Sequence, residues 1–204
     1  MEISRVTQFF YVLACLALLL LTVKMVNASE TPPLVDPTKA SIRGSGCTAE
    51  NARLEVHPFL HNLELTPSAL NVSNASEGGL NRKTCMVALP VHVPAGKKLV
   101  ISDARLVTKS QLQSSAVATA QVEAFTAGSQ SKPLVSSLTP AQNGVVRAKL
   151  KEVLAESECG QDTNLRINAS ILAQGANAEA SVKTLRVKYK LTSCEMPAGV
   201  PTQQ

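Results

Sequence analysis

A period-two alternation headed by a cysteine places the strongest constraint on how this chain can fold. Between Arg82 and Val107, Cys85, Val87, Leu89, Val91 and Val93 fall on one side of the chain, the pattern of a half-buried strand. Pro94-Ala95-Gly96 then turns the backbone, and Leu99, Val100 and Ile101 open a second strand. The pattern predicts a hairpin fixed at its base by a disulfide through Cys85, with other strands packing onto the sheet it starts. Pro90 cannot donate to a ladder, so the first strand is expected at a sheet edge or bulged there.

The cysteines acquire meaning from the start of the chain. A nearly unbroken apolar run from Phe9 to Val23 is shorter than the roughly 20 residues a membrane-spanning helix needs. Val26-Asn27-Ala28 places small residues where a signal peptidase reads, so residues 1–28 are expected to be a signal peptide cleaved after Ala28. A retained anchor helix and lipidation at Cys15 are the competing readings. Cleavage predicts a secreted or extracellular protein, periplasmic or on the cell surface in a bacterium, with no stable membrane span. Cys47, Cys85, Cys159 and Cys194 then remain, an even count in an exported chain, which points to disulfides. Of the three possible pairings, proximity along the chain favours Cys47 with Cys85 and Cys159 with Cys194. Each would contribute about 3 to 4 kcal/mol. No C-x-x-C spacing occurs, which argues against zinc or thiol redox chemistry.

The 204 residues suit one domain with a real core. The net charge of +5 is spread through a chain that is 17% charged, 3% aromatic and without tryptophan. This argues against nucleic acid, which calls for a dense basic patch with stacking aromatics. The same scarcity argues against an aromatic-lined sugar platform. Gly44-Ser45-Gly46 lacks the third glycine and following helix of a dinucleotide fingerprint, and no cofactor is expected.

Residues 29–40, with Pro32, Pro33 and Pro37, read as a flexible leader, and 41–194 as a single domain. Arg53 to Leu65 suggests one or two short strands broken at Pro58. His57 and His61 lie four apart there, with Glu55 and Glu64 nearby, but Pro58 opposes the helix that would bring two imidazoles to one metal. His92 could join them only through tertiary contact, and no metal site is assigned. Residues 67–82 have the composition of a long exposed loop. This loop carries the glycosylation sequons at Asn71 and Asn74, and Asn168 heads a third. Ser115 to Phe125 alternates as an alanine-rich strand, with a helix as competitor, and 128–144 is loop-like. Val146, Leu150, Val153 and Leu154 at helical spacing predict one short helix over 145–157. Leu165 to Ile171 and Leu185 to Leu191 alternate as strands, the latter with Arg186, Lys188 and Lys190 on its outer side. That cationic row is expected to be a solvated face or a protected edge; its functional reading is contact with an anionic surface. Residues 195–204 form a polar, flexible tail. The fold class is therefore mainly β, an antiparallel β-sandwich of jelly-roll or immunoglobulin-like topology with one short helix.

Gly44-Ser45-Gly46-Cys47, Cys85 running into Val91-His92-Val93-Pro94-Ala95-Gly96, Glu158-Cys159-Gly160, and a last strand ending in Cys194 together resemble a family of small secreted proteins of unknown function found in fungi and bacteria. The resemblance spans Ser41 to Cys194 and implies a scaffold, with no active site to carry over. The sequence departs from that family in its few aromatics, with Tyr189 where a tryptophan is common.

There is no G-x-S-x-G elbow, and aspartate occurs only at Asp36, Asp103 and Asp162. Glu123 and Asp103 could serve glycoside hydrolysis only if the fold held them about 5 to 10 Å apart. No catalytic residue is assigned. The expectation is a non-enzymatic extracellular or cell-surface binding or structural module, partnered by a component of the cell envelope or extracellular surface. The alternative is a secreted hydrolase or hydrolase inhibitor.

Overall fold

The computed structural model describes residues 34–76 and 78–194; the signal-peptide reading and the polar tail fall outside the described residues. Among those residues no helix is long and apolar enough to cross a membrane. They form β1 (Ser41–Arg43), β2 (Ala52–His57), β3 (Asn62–Pro67), β4 (Asn71–Asn74), β5 (Leu80–Val91), β6 (Lys97–Leu112), β7 (Val117–Thr126), β8 (Leu134–Leu138), β9 (Gly144–Glu156), β10 (Thr163–Gln174) and β11 (Ala178–Ser193). The first sheet runs β1-β5-β10-β7-β8 and the second β2-β3-β11-β6-β9, with β4 beside β3 on the same flank of β11. All pairings are antiparallel.

From β4 to β11, six of the seven connections pass from one sheet to the other, and only β7 and β8 are adjacent partners in one sheet. The resulting orders β5-β10-β7-β8 and β4-β11-β6-β9 are those of a jelly roll, the first of the two expected topologies. The strands alternate as the sequence requires. In β7, Ala118, Ala120, Val122 and Ala124 are buried and pack towards β6, β9 and β11, so alanines there serve as small inward residues of a strand.

Several expectations change. β5 and β6 belong to different sheets, so Pro94–Gly96 is an arch across the end of the sandwich, closed by a 3.1 Å bond from Lys97 N–H to the Pro94 carbonyl. The helix expected over 145–157 is strand β9. Opposite Ser102 and Ala104 its register slips, so Val146, Ala148 and Leu150 face inward, Val153 is exposed, and Leu154 and Ala155 are buried. Val146, Leu150 and Leu154 share one strand parity, and it was the exposed Val153 beside Leu154 that completed the helical spacing. The expected loops of 67–82 and 128–144 contain β4 and β8. Of the two readings of the β11 cations, solvated face or protected edge, the edge is excluded, because β11 lies at the centre of its sheet and Arg186, Lys188 and Lys190 are exposed on its outer face.

Pro90 lies in an interior strand, paired with Asn164 of β10. Its nitrogen faces the same way as the N–H of His92, which donates to the Leu34 carbonyl. β1 reaches β5 only at Met86 to Ala88, so no ladder donor is required of Pro90. Val35 forms a bridge with Val91 and is 4% exposed, which places this part of the expected flexible leader in the core.

Disulfides join Cys47 to Cys85 and Cys159 to Cys194. Gly44-Ser45-Gly46 folds against Thr84, the residue before Cys85: Gly46 N–H donates to the Thr84 carbonyl, and Thr84 N–H donates to Ser45 Oγ. A Cβ on Gly44 would lie 2.2 Å from the Thr84 carbonyl oxygen. Gly44→Ala is therefore expected to lower stability by about 3 kcal/mol in urea unfolding, since the backbone cannot yield without parting β1 from β5. Val35→Ala should cost about 2 kcal/mol in the same measurement, where a residue in a free leader would cost nothing.

Candidate functional site

The outer face of the second sheet holds a single row of charged side chains assembled from five strands. In register, Glu55 of β2 lies opposite Glu64 of β3, Glu64 opposite Arg186 of β11, Arg186 opposite Arg105 of β6, and Arg105 opposite Lys149 of β9. At about 4.8 Å per strand the row crosses roughly 19 Å, with acids at one end and cations at the other.

At the acidic end, His57 Nε2 lies 3.8 Å from Glu55 and 3.9 Å from Glu64, too far for hydrogen bonds. These three groups could hold a metal ion by their spacing. Each carboxylate already has a cation, with Arg53 at 2.5 Å from Glu55 and Arg186 Nε donating to Glu64 at 2.7 Å. The cluster is an ion-pair network as it stands. His61 turns away from it to meet the Tyr189 ring edge-on, and adopts a left-handed backbone after Pro58–Leu60. Phe59, at the tip of that turn, is 95% exposed.

The cationic end surrounds a groove of about 470 Å³ lined by Glu64, Arg105, Arg147, Lys149, Thr184 and Arg186, among others. Desolvation first, and then Lys151 and Arg105 beside it, hold Lys149 below the usual lysine value, while Asp103 opposes the shift. A second depression of about 370 Å³ lies farther along β11, lined by Asn71, Ser73, Lys109, Gln111, Ser181 and Lys183, with the exposed Glu179 among its walls. Two bulges shape the surface. Lys183 is the extra residue of β11 between Val182 and Thr184, so both Lys183 and Thr184 face outward. Asp103 is the extra residue of β6, has φ 49°, and places its carboxylate 3.7 Å from Lys188 Nζ.

His92 stands elsewhere, at the end of β5. Its Nδ1 lies 2.9 Å from Asp162, which also accepts the Val93 N–H at 2.9 Å. Thus His57, His61 and His92 do not converge. Glu123 lies outward on β7 of the first sheet and Asp103 outward on β6 of the second, so the whole sandwich separates them, which opposes a paired-carboxylate site. Of the sequon residues, Asn71 is exposed at the start of β4. Asn74 donates its amide to the Gly79 and Ala173 carbonyls, and Asn168 lies mid-strand in β10.

Residues 35–194 match the model of a family described as a domain of unknown function, DUF4360. The chain belongs to that family. The family has no stated role, in keeping with the resemblance drawn from the cysteines and glycines. No curated protein matches the sequence. Among solved structures, the chain is similar to TmCBM61 in complex with beta-1,4-galactotriose, at 12% identity over 77% of this chain and 90% of that one, with a TM-score of 0.32. It is also similar to the CBM22-1 xylan-binding domain from Paenibacillus barcinonensis, at 10% identity over 73% and 85%, with a TM-score of 0.25. A third is the family 11 carbohydrate-binding module from Clostridium thermocellum, at 9% identity over 74% and 84%, with a TM-score of 0.25.

The contact at Asp162 gives this family member a pH signature. The Val93 N–H first, and His92 second, hold the Asp162 carboxyl below its ordinary value. A depressed carboxyl stabilises the fold above the unfolded pKa and loses that contribution as pH falls through the folded pKa. Asp162→Asn should therefore lower the Tm at pH 7, and the gap from the parent should narrow as pH falls below the ordinary aspartate range in thermal scans.

Proposed function

We propose that this chain acts outside the cytoplasm as a non-enzymatic binding module, and that its working surface is the outer face of the second sheet. The supporting observation is the charged row across β2, β3, β11, β6 and β9, which borders one depression, with a second lying farther along β11 on the same face. Such a face can hold a partner by many shallow polar contacts and does not gather acid, base and nucleophile at one point. Cleavage after Ala28 and export account for the two disulfides, which persist in oxidising compartments. The partner is a component of the cell envelope or extracellular surface. Of the sequons, only Asn71 stands exposed at the rim of the β11 groove, so a glycan added there would cover that end.

The purified protein should sediment with isolated cell-envelope material and be released as salt is raised from about 50 to 500 mM, because exposed charge contacts are screened. Arg105→Ser combined with Lys149→Ser should reduce the bound fraction. Absence of retention on any envelope or extracellular fraction would overturn the reading.

A further inference from the structure

We infer that the ligand of this face is a carboxylate-bearing polysaccharide that runs over β11, its acidic groups met by Arg186 on that strand and by Arg105 and Lys149, which reach it from β6 and β9. The inference rests on the reading of the chain as a binding module and names the chemistry that the face recognises.

Two properties of the groove point to this class. The first is charge. Arg186, Arg105 and Lys149 are consecutive in one cross-strand row, and Arg147 borders the same groove beside Val107. Among the described residues, only Arg186 of these has a carboxylate within 4 Å, Glu64, which meets its Nε and leaves the rest of the guanidinium fork unclaimed by that bond. Guanidinium groups in a fixed row take planar carboxylates in a two-pronged geometry.

The second property is the lining beyond the cations. Towards β4 the face continues with Asn71, Ser73, Gln111 and Ser181, amides and hydroxyls that can both give and accept hydrogen bonds. A ligand that crosses both regions must carry negative charge and a high density of hydroxyls. From Glu179 to Arg186 the strand extends about 23 Å at 3.3 Å per residue, enough for several residues of an extended polymer. The bulge at Lys183 places a further cation between the two depressions. Nucleic acid shares the negative charge, but neither depression is lined by an aromatic side chain on which bases could stack. The low aromatic content that argues against neutral sugar platforms is no obstacle to a sugar held by its charge.

Isothermal titration of the disulfide-bonded protein with polygalacturonate and with alginate tests this, alongside methyl-esterified polygalacturonate and polyphosphate. At least one acidic glycan should bind, and its affinity should fall steeply with salt. The methyl ester should bind at least about tenfold more weakly than the free acid. Arg105→Ser with Lys149→Ser should weaken the acidic glycan by a similar factor, while Arg166→Ser, on the outer face of the first sheet, should leave it unchanged. If the double variant does not fold, Arg147→Ser alone carries the test. Equal binding of acid and ester, tighter binding of polyphosphate than of either glycan, or an equal effect of Arg166→Ser would overturn the inference. Silence of both glycans would overturn the ligand class while leaving the module standing if envelope material still retains the protein. Loss of both would remove the module reading as well.

Discussion

The arch from Val93 to Lys97 is the constraint on which the rest of the sandwich depends. It carries the chain from the first sheet to the second, and both disulfides act on the stretch that contains it. Cys85 ties β5 to the Gly-Ser-Gly segment after β1. Cys159 and Cys194 tie the β9–β10 turn to the end of β11 directly behind the arch, where Gly160 N–H donates to the Lys97 carbonyl and Cys194 N–H to the Gly96 carbonyl. Asp162 adds a third tie through the Val93 N–H. Because β5 and β6 are interior strands of their respective sheets, fixing the arch fixes the position of one sheet against the other. The two loops close over 38 and 35 residues, for which chain entropy alone gives about 4 kcal/mol each.

The same arch shows where sequence patterning loses its power. Alternation located β5 and β6 well, because inward residues recur at every second position whichever sheet a strand occupies. It could not distinguish a hairpin from a crossing, since Pro-Ala-Gly turns the chain equally well in both. The deciding contacts, Val91 with Thr163 on one side and Leu99 with Leu191 on the other, lie far off in sequence. Bulges defeated the pattern in a second way. In β11 the alternation of Leu185, Val187 and Tyr189 was legible, but the buried residues Ala178, Ala180 and Val182 have the opposite parity, and Lys183 absorbs the change. In β9 an exposed apolar residue, Val153, beside the buried Leu154 made a strand look like a helix, and a slip buries Ala155 at the opposite parity.

The candidate site follows from these slips. Arg186, Lys188 and Lys190 were visible as one strand's outer side, but their neighbours were not. Glu64, Arg105 and Lys149 are 122, 81 and 37 residues from Arg186 by numbering, and only the register of three strand pairs sets them in one row. The histidines illustrate the converse. His57 and His61 were close in sequence and looked like a pair, yet the turn at Pro58 sends one to the carboxylates and the other to Tyr189. His57 joined Glu55 and Glu64 through the β2–β3 pairing, a contact that a helical spacing rule could not reveal.

A face built this way has a particular mechanical character. Arg186 and Arg105 sit on β11 and β6, which are interior to the second sheet, are each 16 residues long, and pair with one another along nearly their full length. Their backbones are held on both sides, so the ordering entropy of binding falls on side-chain ends alone. β9 is the outer strand, and Lys149 lies just before the stretch in which its register slips, so the row becomes less constrained from Arg186 towards Lys149. Glu64 reinforces this gradient by fixing Arg186 through Nε. The preorganised anchor of the row is therefore Arg186, with the outer cations free to adapt to the spacing of charges on whatever lies across them.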